Sequence, residues 1–298
     1  MFVRSIKAIP WGLQVTDSRN VVAACKSPDT SEQVIKNTAS TISSSTTVQE
    51  ERALEFAQSM VQRFARCRSV QEFRDIEADL RAMLERLDPN IARDLRDTFH
   101  NSSTRSAAEL TELIDPRWKN SGVRGLDYGA GDGYVGRKIA DGLGVTMEGA
   151  DIMPPEHTEI PVKRILPNGN LDWANNHFAI SIIVKLLHHI ETFGQQEGLI
   201  DELRRVTSDQ LYVVETPISA HSDNRPLVLT SDYFSNRMLR PIAHGTPDIP
   251  VPGTFRTPAE WEKVFVAHEL SVKYSHVSQG KDRRNMSVPH CHFVLGKI

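Results

Sequence analysis

Residues 125–152 read GLDYGAGDGYVGRKIADGLGVTMEGADI, and they combine the residue types needed to hold an adenosine-containing cofactor. Gly129, Gly131, Gly133 and Gly136 follow a strand pattern at 124–128 and lead into a helical pattern at 134–142. Closely spaced glycines let the backbone pass near a ligand where any Cβ would clash. The start of the following helix offers N–H groups that have no partner within the helix. Asp151 closes a second strand pattern at 145–150 and is placed to accept hydrogen bonds from both ribose hydroxyls. The glycines fit two templates, Gly129-x-Gly131-x-Gly133 for S-adenosylmethionine and Gly131-x-Gly133-x-x-Gly136 for a dinucleotide. A dinucleotide would rest its pyrophosphate on the helix start, where Asp132 would repel it. S-adenosylmethionine carries a sulfonium and an ammonium, which suit the acidic side chains of Asp127 and Asp132. Charge favours the methyl donor.

A second group lies downstream. His188 and His189 follow an apolar run at 178–184, and Glu215 ends another at 210–215. Clefts in open α/β sheets form at the C-terminal ends of the strands, so these three are the candidates for a general base. An imidazole titrates near neutrality, which suits that role. Methyl transfer is an in-line displacement in which the protein aligns donor and acceptor and removes a proton where the acceptor requires it. Lys185 reads as a surface residue with a snorkelling stem. Arg225, Arg237 and Arg256 could meet an anionic acceptor, and Arg237 and Arg256 are taken as the candidate substrate contacts. In His290-Cys291-His292, strand alternation sends Cys291 to the face opposite the histidines, so no metal site is expected.

From these residues onward the chain resembles the class I S-adenosylmethionine-dependent methyltransferases. The segment Leu171-Asp172-Trp173-Ala174-Asn175-Asn176-His177-Phe178, the apolar run to Val184 and Leu186-Leu187-His188-His189-Ile190 are similar to that family's LPF-x-D-x-SFD, strand and LHHI. Residues 257–270, TPAEWEKVFVAHEL, look like its late helix. The resemblance covers about residues 105–298. It implies a cofactor site of Asp127, Gly129, Gly131, Asp132, Gly133, Asp151, Ile152 and Asn168, with Ile152 or Trp173 as an apolar face for adenine. The chain departs from the pattern at Ala179, where an aspartate is common, and at Asn168 and Asn170, where an acid commonly meets the adenine amino group. The lysine–aspartate–lysine–glutamate arrangement of ribose methyltransferases is not evident around Lys185.

The remaining elements must position these groups. The 298 residues are enough for a large domain with an appended one, and 39% hydrophobic and 24% charged residues describe a globular chain. A net charge of −3 argues against a general nucleic-acid-binding surface. No apolar run reaches the roughly 20 residues of a membrane span. The cysteines Cys25, Cys67 and Cys291 are too few for a disulfide framework, which makes the cytoplasm the expected compartment.

Residues 1–10, with Arg4 and Lys7, read as a plain flexible terminus. Residues 1–48 end in a Ser/Thr-rich run at 38–47 and are expected to be a disordered tail. A helical extension is expected over 49–115, packing near the cofactor cleft and helping to cover the acceptor. It has apolar stripes at Phe56, Met60, Val61 and Phe64 and at Val70, Phe73, Leu80, Met83, Leu84 and Leu87. Asp88-Pro89 predicts a third helix carrying Ile91, Leu95 and Phe99, and a fourth is expected over 105–114. From residue 116 onward, strands and helices alternate. Strands are predicted at 124–128, 145–150, 178–184, 210–215, 271–277 and 290–295, and helices at 134–142, 196–207 and 258–269. Residues 279–285 read as a basic loop. This alternation predicts an α/β chain with a parallel sheet and helices on its faces, and the resemblance implies a Rossmann-like, seven-stranded, mostly parallel sheet with an antiparallel final strand and helices on both faces. Residues 217–256 are long for a connection and read as a substrate lid with a short helix at 233–239. The expected activity is methyl transfer to oxygen or nitrogen of a small molecule. RNA or protein acceptors, an NAD(P)-dependent oxidoreductase and a non-catalytic methyltransferase-like subunit are the competing readings.

Overall fold

The computed structural model describes residues 15–165, 171–219, 224–245, 249–278 and 289–298. Along the chain run α1 (Val15–Lys26), α2 (Pro28–Ser45), α3 (Glu50–Arg66), α4 (Val70–Glu85), α5 (Ile91–Leu113), β1 (Arg124–Tyr128), α6 (Tyr134–Leu143), β2 (Thr146–Asp151), β3 (Val162–Arg164) and β4 (Phe178–Val184). They are followed by α7 (Phe193–Val206), β5 (Thr207–Glu215), α8 (Arg225–Tyr233), a π-helical segment (Phe234–Leu239), α9 (Arg240–His244), α10 (Pro258–Ala267), β6 (Leu270–Ser278) and β7 (His290–Lys297). No helix among the described residues is long and apolar enough to cross a membrane. The three cysteines are free and buried.

The chain forms two units, one of residues up to Arg96 together with Arg225–Gly253, the other of Asp97–Asn224 and Thr254–Ile298. The helical unit is built by amphipathic spacing. Ala53, Phe56, Ala57, Met60, Val61 and Phe64 bury one face of α3. Phe64 stacks on Phe73 at 4.6 Å between ring centroids, and Tyr233 meets both edge-on. Thus the expected insertion is helical over Arg225–His244 and belongs to the same unit as the N-terminal helices, whereas residues 97–115 belong with the sheet.

The Ser/Thr-rich run expected to be disordered is helix α2. Its hydroxyls fold back onto their own helix, Thr41 donating to Asn37 O at 2.8 Å and Thr46 to Ile42 O at 2.7 Å. Val34, Thr38, Ala39 and Ile42 supply a buried face that composition alone hides. The third and fourth helices expected over 91–114 are one continuous α5. No glycine or proline interrupts it, and Thr104 donates to His100 O within the polar stretch. The flexible terminus expected at 1–10 and the basic loop at 279–285 lie outside the described residues.

The second unit holds a seven-stranded sheet of order β3-β2-β1-β4-β5-β7-β6 in which β7 alone runs antiparallel to its neighbours. Helices cover both faces, so the central strands read as continuous apolar runs; Phe178, Ile180, Ile182 and Ile183 of β4 are all fully buried. Leu126, Phe178, Ile183 and Leu211 pack with α7 and α10 on one face. Ile180, Ile182, Tyr212 and Val294 pack with α6 and the C-terminal half of α5 on the other. Strand order reverses between β1 and β4, which opens a crevice beyond their C-terminal ends. The short edge strand β3 was not expected; its three residues, Val162, Lys163 and Arg164, carry almost no periodic signal.

Candidate functional site

The glycine turn leaves β1 and enters α6 through left-handed glycines, Gly129 at φ 77° and Gly133 at φ 77°. Glycine adopts that region without steric cost. A Cβ on Gly133 would lie 2.6 Å from the Ile160 side chain, whereas one on Gly131 would meet nothing within 4 Å. The turn is tied to β2, since Gly129 N donates to Ala150 O at 2.7 Å. Asp151, at the end of β2, accepts from Gly131 N at 2.9 Å through one oxygen and from Met153 N at 2.8 Å through the other. A carboxylate has about four acceptor positions, so Asp151 retains capacity for hydroxyl donors.

The first turn of α6 carries no open anion site of the usual kind. Tyr134 N donates to the Asp132 carboxylate at 3.1 Å, and Gly136 N donates to the Asp127 carboxylate at 3.0 Å. Two side-chain carboxylates therefore occupy amides that a phosphate would otherwise use. Asp127 is buried, and burial pushes its carboxyl up to about 7. The Gly136 hydrogen bond opposes that rise, and the neighbouring charges of Asp151 and Asp132 add to it. Asp127 thus faces the helix start rather than the open side of the turn, while Asp132 is exposed. Ile152 is partly buried against the sheet core, as is Trp173, which meets Phe178 edge-on at 5.2 Å. Asn168 lies outside the described residues.

Beyond β4 and β5 the structure brings His188 and Glu215 together. Glu215 is fully buried and accepts from Leu186 N at 2.9 Å and Leu187 N at 2.6 Å with one oxygen. Its other oxygen lies 2.5 Å from His188 Nδ1. A carboxylate only accepts, so Nδ1 donates in this contact and Nε2 is the ring's second nitrogen. Phe255 stacks on His188 at 5.0 Å, and the His189 ring lies 4.2 Å from it. The backbone of this loop is fixed from a distance. Thr254 donates to His188 O and Ile190 O, and the Gln196 amide bridges Leu187 O and Thr254 O at 2.8 Å each. Sequence reasoning did not single out Gln196, Thr254 or Phe255. Gln196 sits on the buried face of a helix, and the other two lie in a loop without periodicity.

The two arginines expected to meet an acceptor have other partners. Arg237 is buried and donates through Nε and Nη2 to the two oxygens of Glu77, both at 3.1 Å. A buried guanidinium needs such a partner to offset its lost hydration. Arg256 donates to Gln196 Oε1 at 3.0 Å and Glu197 Oε1 at 2.7 Å, and it lies over the rings of Phe193 and Trp261. Both arginines brace the fold. In β7, Cys291 joins the core face of Phe293 and Leu295 while Val294, two residues past His292, joins the opposite one, the alternation expected from sequence.

No protein-family model matches the chain, and no curated protein does. Solved structures do. A methyltransferase from Methanosarcina mazei described as S-adenosylmethionine-dependent is 16% identical, with 61% of this chain and 95% of that one covered and a TM-score of 0.46. Magnesium protoporphyrin IX methyltransferase from Synechocystis, with bound S-adenosylhomocysteine, is 12% identical over 65% of this chain and 83% of that one, with a TM-score of 0.45. The [4+2]-cyclase SpnF is 14% identical over 63% and 80%, with a TM-score of 0.45. At such identities likeness concerns the fold alone. The seven mostly parallel strands and the antiparallel β7 agree with what the sequence resemblance implied. The chain has a Rossmann-like α/β fold with a seven-stranded, mostly parallel sheet. In this fold the glycine turn, Asp151, His188 and Glu215 all gather at the C-terminal edge of one sheet.

Proposed function

We propose that the protein is an S-adenosylmethionine-dependent methyltransferase acting on an oxygen or nitrogen of a small molecule. The observation that carries this reading is the pair of carboxylates, Asp127 and Asp132, on the first-turn amides of α6. A pyrophosphate would have to displace them and then sit beside Asp151; a cationic methionine end gains from all three acids. The residues fit the cofactor. Gly131 leaves open space along the turn, Asp151 is held ready for ribose hydroxyls, and Ile152 offers an apolar surface for adenine. When bound, S-adenosylmethionine supplies a methyl group activated by the positive sulfur.

The chain's own residues then align the acceptor and manage its proton. His188 Nε2 accepts the proton of the acceptor's hydroxyl or ammonium, and Glu215 holds the imidazole in the tautomer that can do so and stabilises the resulting imidazolium. Burial of both groups strengthens that pairing. His189 lies beside the pair and helps to shape the acceptor's approach.

Two results are expected. Asp151→Ala should weaken S-adenosylhomocysteine binding by about 1–3 kcal/mol, measured by calorimetry, because charge-assisted bonds to ribose and the tether to Gly131 are both lost. Unchanged affinity would remove Asp151 from the site. The second concerns pH. With the Asp127 carboxyl at about 7 in the folded protein and 3.8 as its ordinary value, the folded state holds an extra proton between those pH values. Asp127 therefore favours folding most at low pH, and that contribution falls as pH rises towards 7. A cationic ligand favours the ionised form, so S-adenosylmethionine affinity should rise with pH by up to about tenfold per unit and level off above pH 7. Asp127→Asn should flatten the profile.

A further inference from the structure

β2 and β3 are parallel neighbours, and the chain joins them through residues 152–161 alone. Parallel pairs usually need a helix to cross over. Here Pro154, Pro155 and Pro161 stand in a segment with no helix or strand of its own. Within it only Ile160 is buried, and residues 155–159 are exposed. The segment returns to the cofactor turn. Glu159 N donates to Asp132 O at 2.7 Å, Gly149 N donates to Pro161 O at 2.7 Å, and Met153 N is held by the Asp151 carboxylate. The Ile160 side chain then fills space that two glycines leave open. A Cβ on Gly133 would stand 2.6 Å from its Cγ1, and one on Gly136 would stand 2.7 Å from its Cδ1 and 2.9 Å from Asp127 Oδ2. The missing Cβ of Gly136 therefore lets a methyl group and a carboxylate meet over one point. Ile160 also joins the apolar cluster of Ile139, Ile180 and Ile182, so on this side Asp127 faces hydrocarbon.

The surrounding charges do not oppose that effect. Asp132 and Asp151 face Asp127 from the turn and from β2. β4, its other neighbour in the sheet, has no ionisable side chain; α6 turns Arg137 to Asp141 and Lys138 to the Tyr134 ring, and α5 directs Glu109 to His292. Glu156, His157 and Glu159 of the connecting segment are exposed. Burial and both neighbouring aspartates push the Asp127 carboxyl up to about 7, against the Gly136 hydrogen bond.

We propose that residues 152–161 form a strap over the cofactor turn, in which Ile160 is a positioning residue that keeps water from Asp127 and so governs when the turn presents its full negative charge to the methionine end. This inference concerns regulation of the methyltransferase site and rests on that reading. With the strap closed, Asp127 stays protonated into the neutral range, and Asp132 and Asp151 alone draw the cofactor. Hydration of Asp127 favours its ionised form. Loosening the strap therefore makes the turn more anionic at a given pH and strengthens its hold on a cation.

Variants of the full chain test this. Ile160→Ala opens the space, Ile160→Leu keeps its volume, and Ile160→Thr, which sets a hydroxyl beside the carboxylate, replaces the alanine variant should that one fail to fold. Carboxyl-carbon NMR follows Asp127, assigned by its absence in Asp127→Asn, and calorimetry follows S-adenosylmethionine from about pH 5 to about pH 8. The wild-type inflection is expected at about 7. Ile160→Ala should lower it by about one unit or more, and Ile160→Leu should leave it in place. The binding profile, scaled to its own plateau, should move with it, giving the alanine variant a larger share of its full affinity at about pH 6. A side chain that only supports the fold would weaken binding by one factor at every pH. The proposal is overturned if the alanine variant, or threonine in its stead, keeps the wild-type inflection, if leucine moves it as far as alanine, or if the inflection moves and the binding profile does not. Failure of the wild-type protein to bind S-adenosylhomocysteine overturns the methyltransferase reading instead, and the carboxyl titration still judges the strap.

Discussion

Replacing Glu77 by alanine is expected to cost the helical unit about 3–5 kcal/mol, the size measured when one partner of a buried ion pair is removed. Glu77 lies on α4 and is 4% exposed. It receives both nitrogens of Arg237 and, at 3.0 Å, Arg81, which also donates to Arg237 O at 2.8 Å. Arg237 belongs to the π-helical segment Phe234–Leu239, so the three side chains clamp that irregular turn onto α4. Alanine takes the Glu77 counter-charge away from a guanidinium that is 3% exposed. Urea unfolding followed by circular dichroism should show an earlier transition, and hydrogen exchange should locate the loss in residues 225–244. Glu77→Leu combined with Arg237→Met should recover most of the stability, because both desolvation costs disappear together. A loss below about 1 kcal/mol in the alanine variant would mean the clamp contributes no more than a surface ion pair.

Glu215→Gln should leave the fold and S-adenosylhomocysteine affinity nearly intact and lower the methyl-transfer rate by about 10²–10⁴-fold. The amide oxygen can still accept from Leu186 and Leu187, which turns the NH2 group towards His188. An amide nitrogen there only donates, so Nδ1 must become the acceptor and the proton moves to Nε2. The base is then blocked by its tautomer rather than displaced. The rate is read with the acceptor first identified from extracts by labelled methyl donor and mass spectrometry. A rate within about threefold of wild type would place His188 and Glu215 in the loop's architecture alone, since general-base catalysis is worth far more.

What the sequence revealed follows from how local each signal is. The β1–α6–β2 unit was legible because turn, helix, strand and acid lie in one short stretch, and β1 and β4 emerged with the predicted bounds. The pairing of His188 with Glu215 could be suspected only from both following strands that end at the same edge. Their 2.5 Å approach depends on β4 and β5 being neighbours, which no spacing records. Asp127 shows a different limit of the sequence. Its charge pointed to a cationic ligand, and its carboxylate also accepts from Gly136 N, a structural use of aspartate that spacing does not record. Arg237 and Arg256 were misread for the same reason, as a guanidinium bracing a helix and one gripping a ligand share the same letter. Helix α2 was missed because its buried face consists of Val34, Thr38, Ala39 and Ile42, small residues among serines and threonines whose hydroxyls satisfy themselves on the helix.

The central claim is that carboxylates at the start of α6 make this turn a site for a cationic methionine end and not for a pyrophosphate. Calorimetric titration of the full chain with S-adenosylhomocysteine and, separately, with NAD tests it most directly. Saturable binding of S-adenosylhomocysteine with no heat from NAD is the predicted result; tight NAD binding with no S-adenosylhomocysteine binding would contradict it.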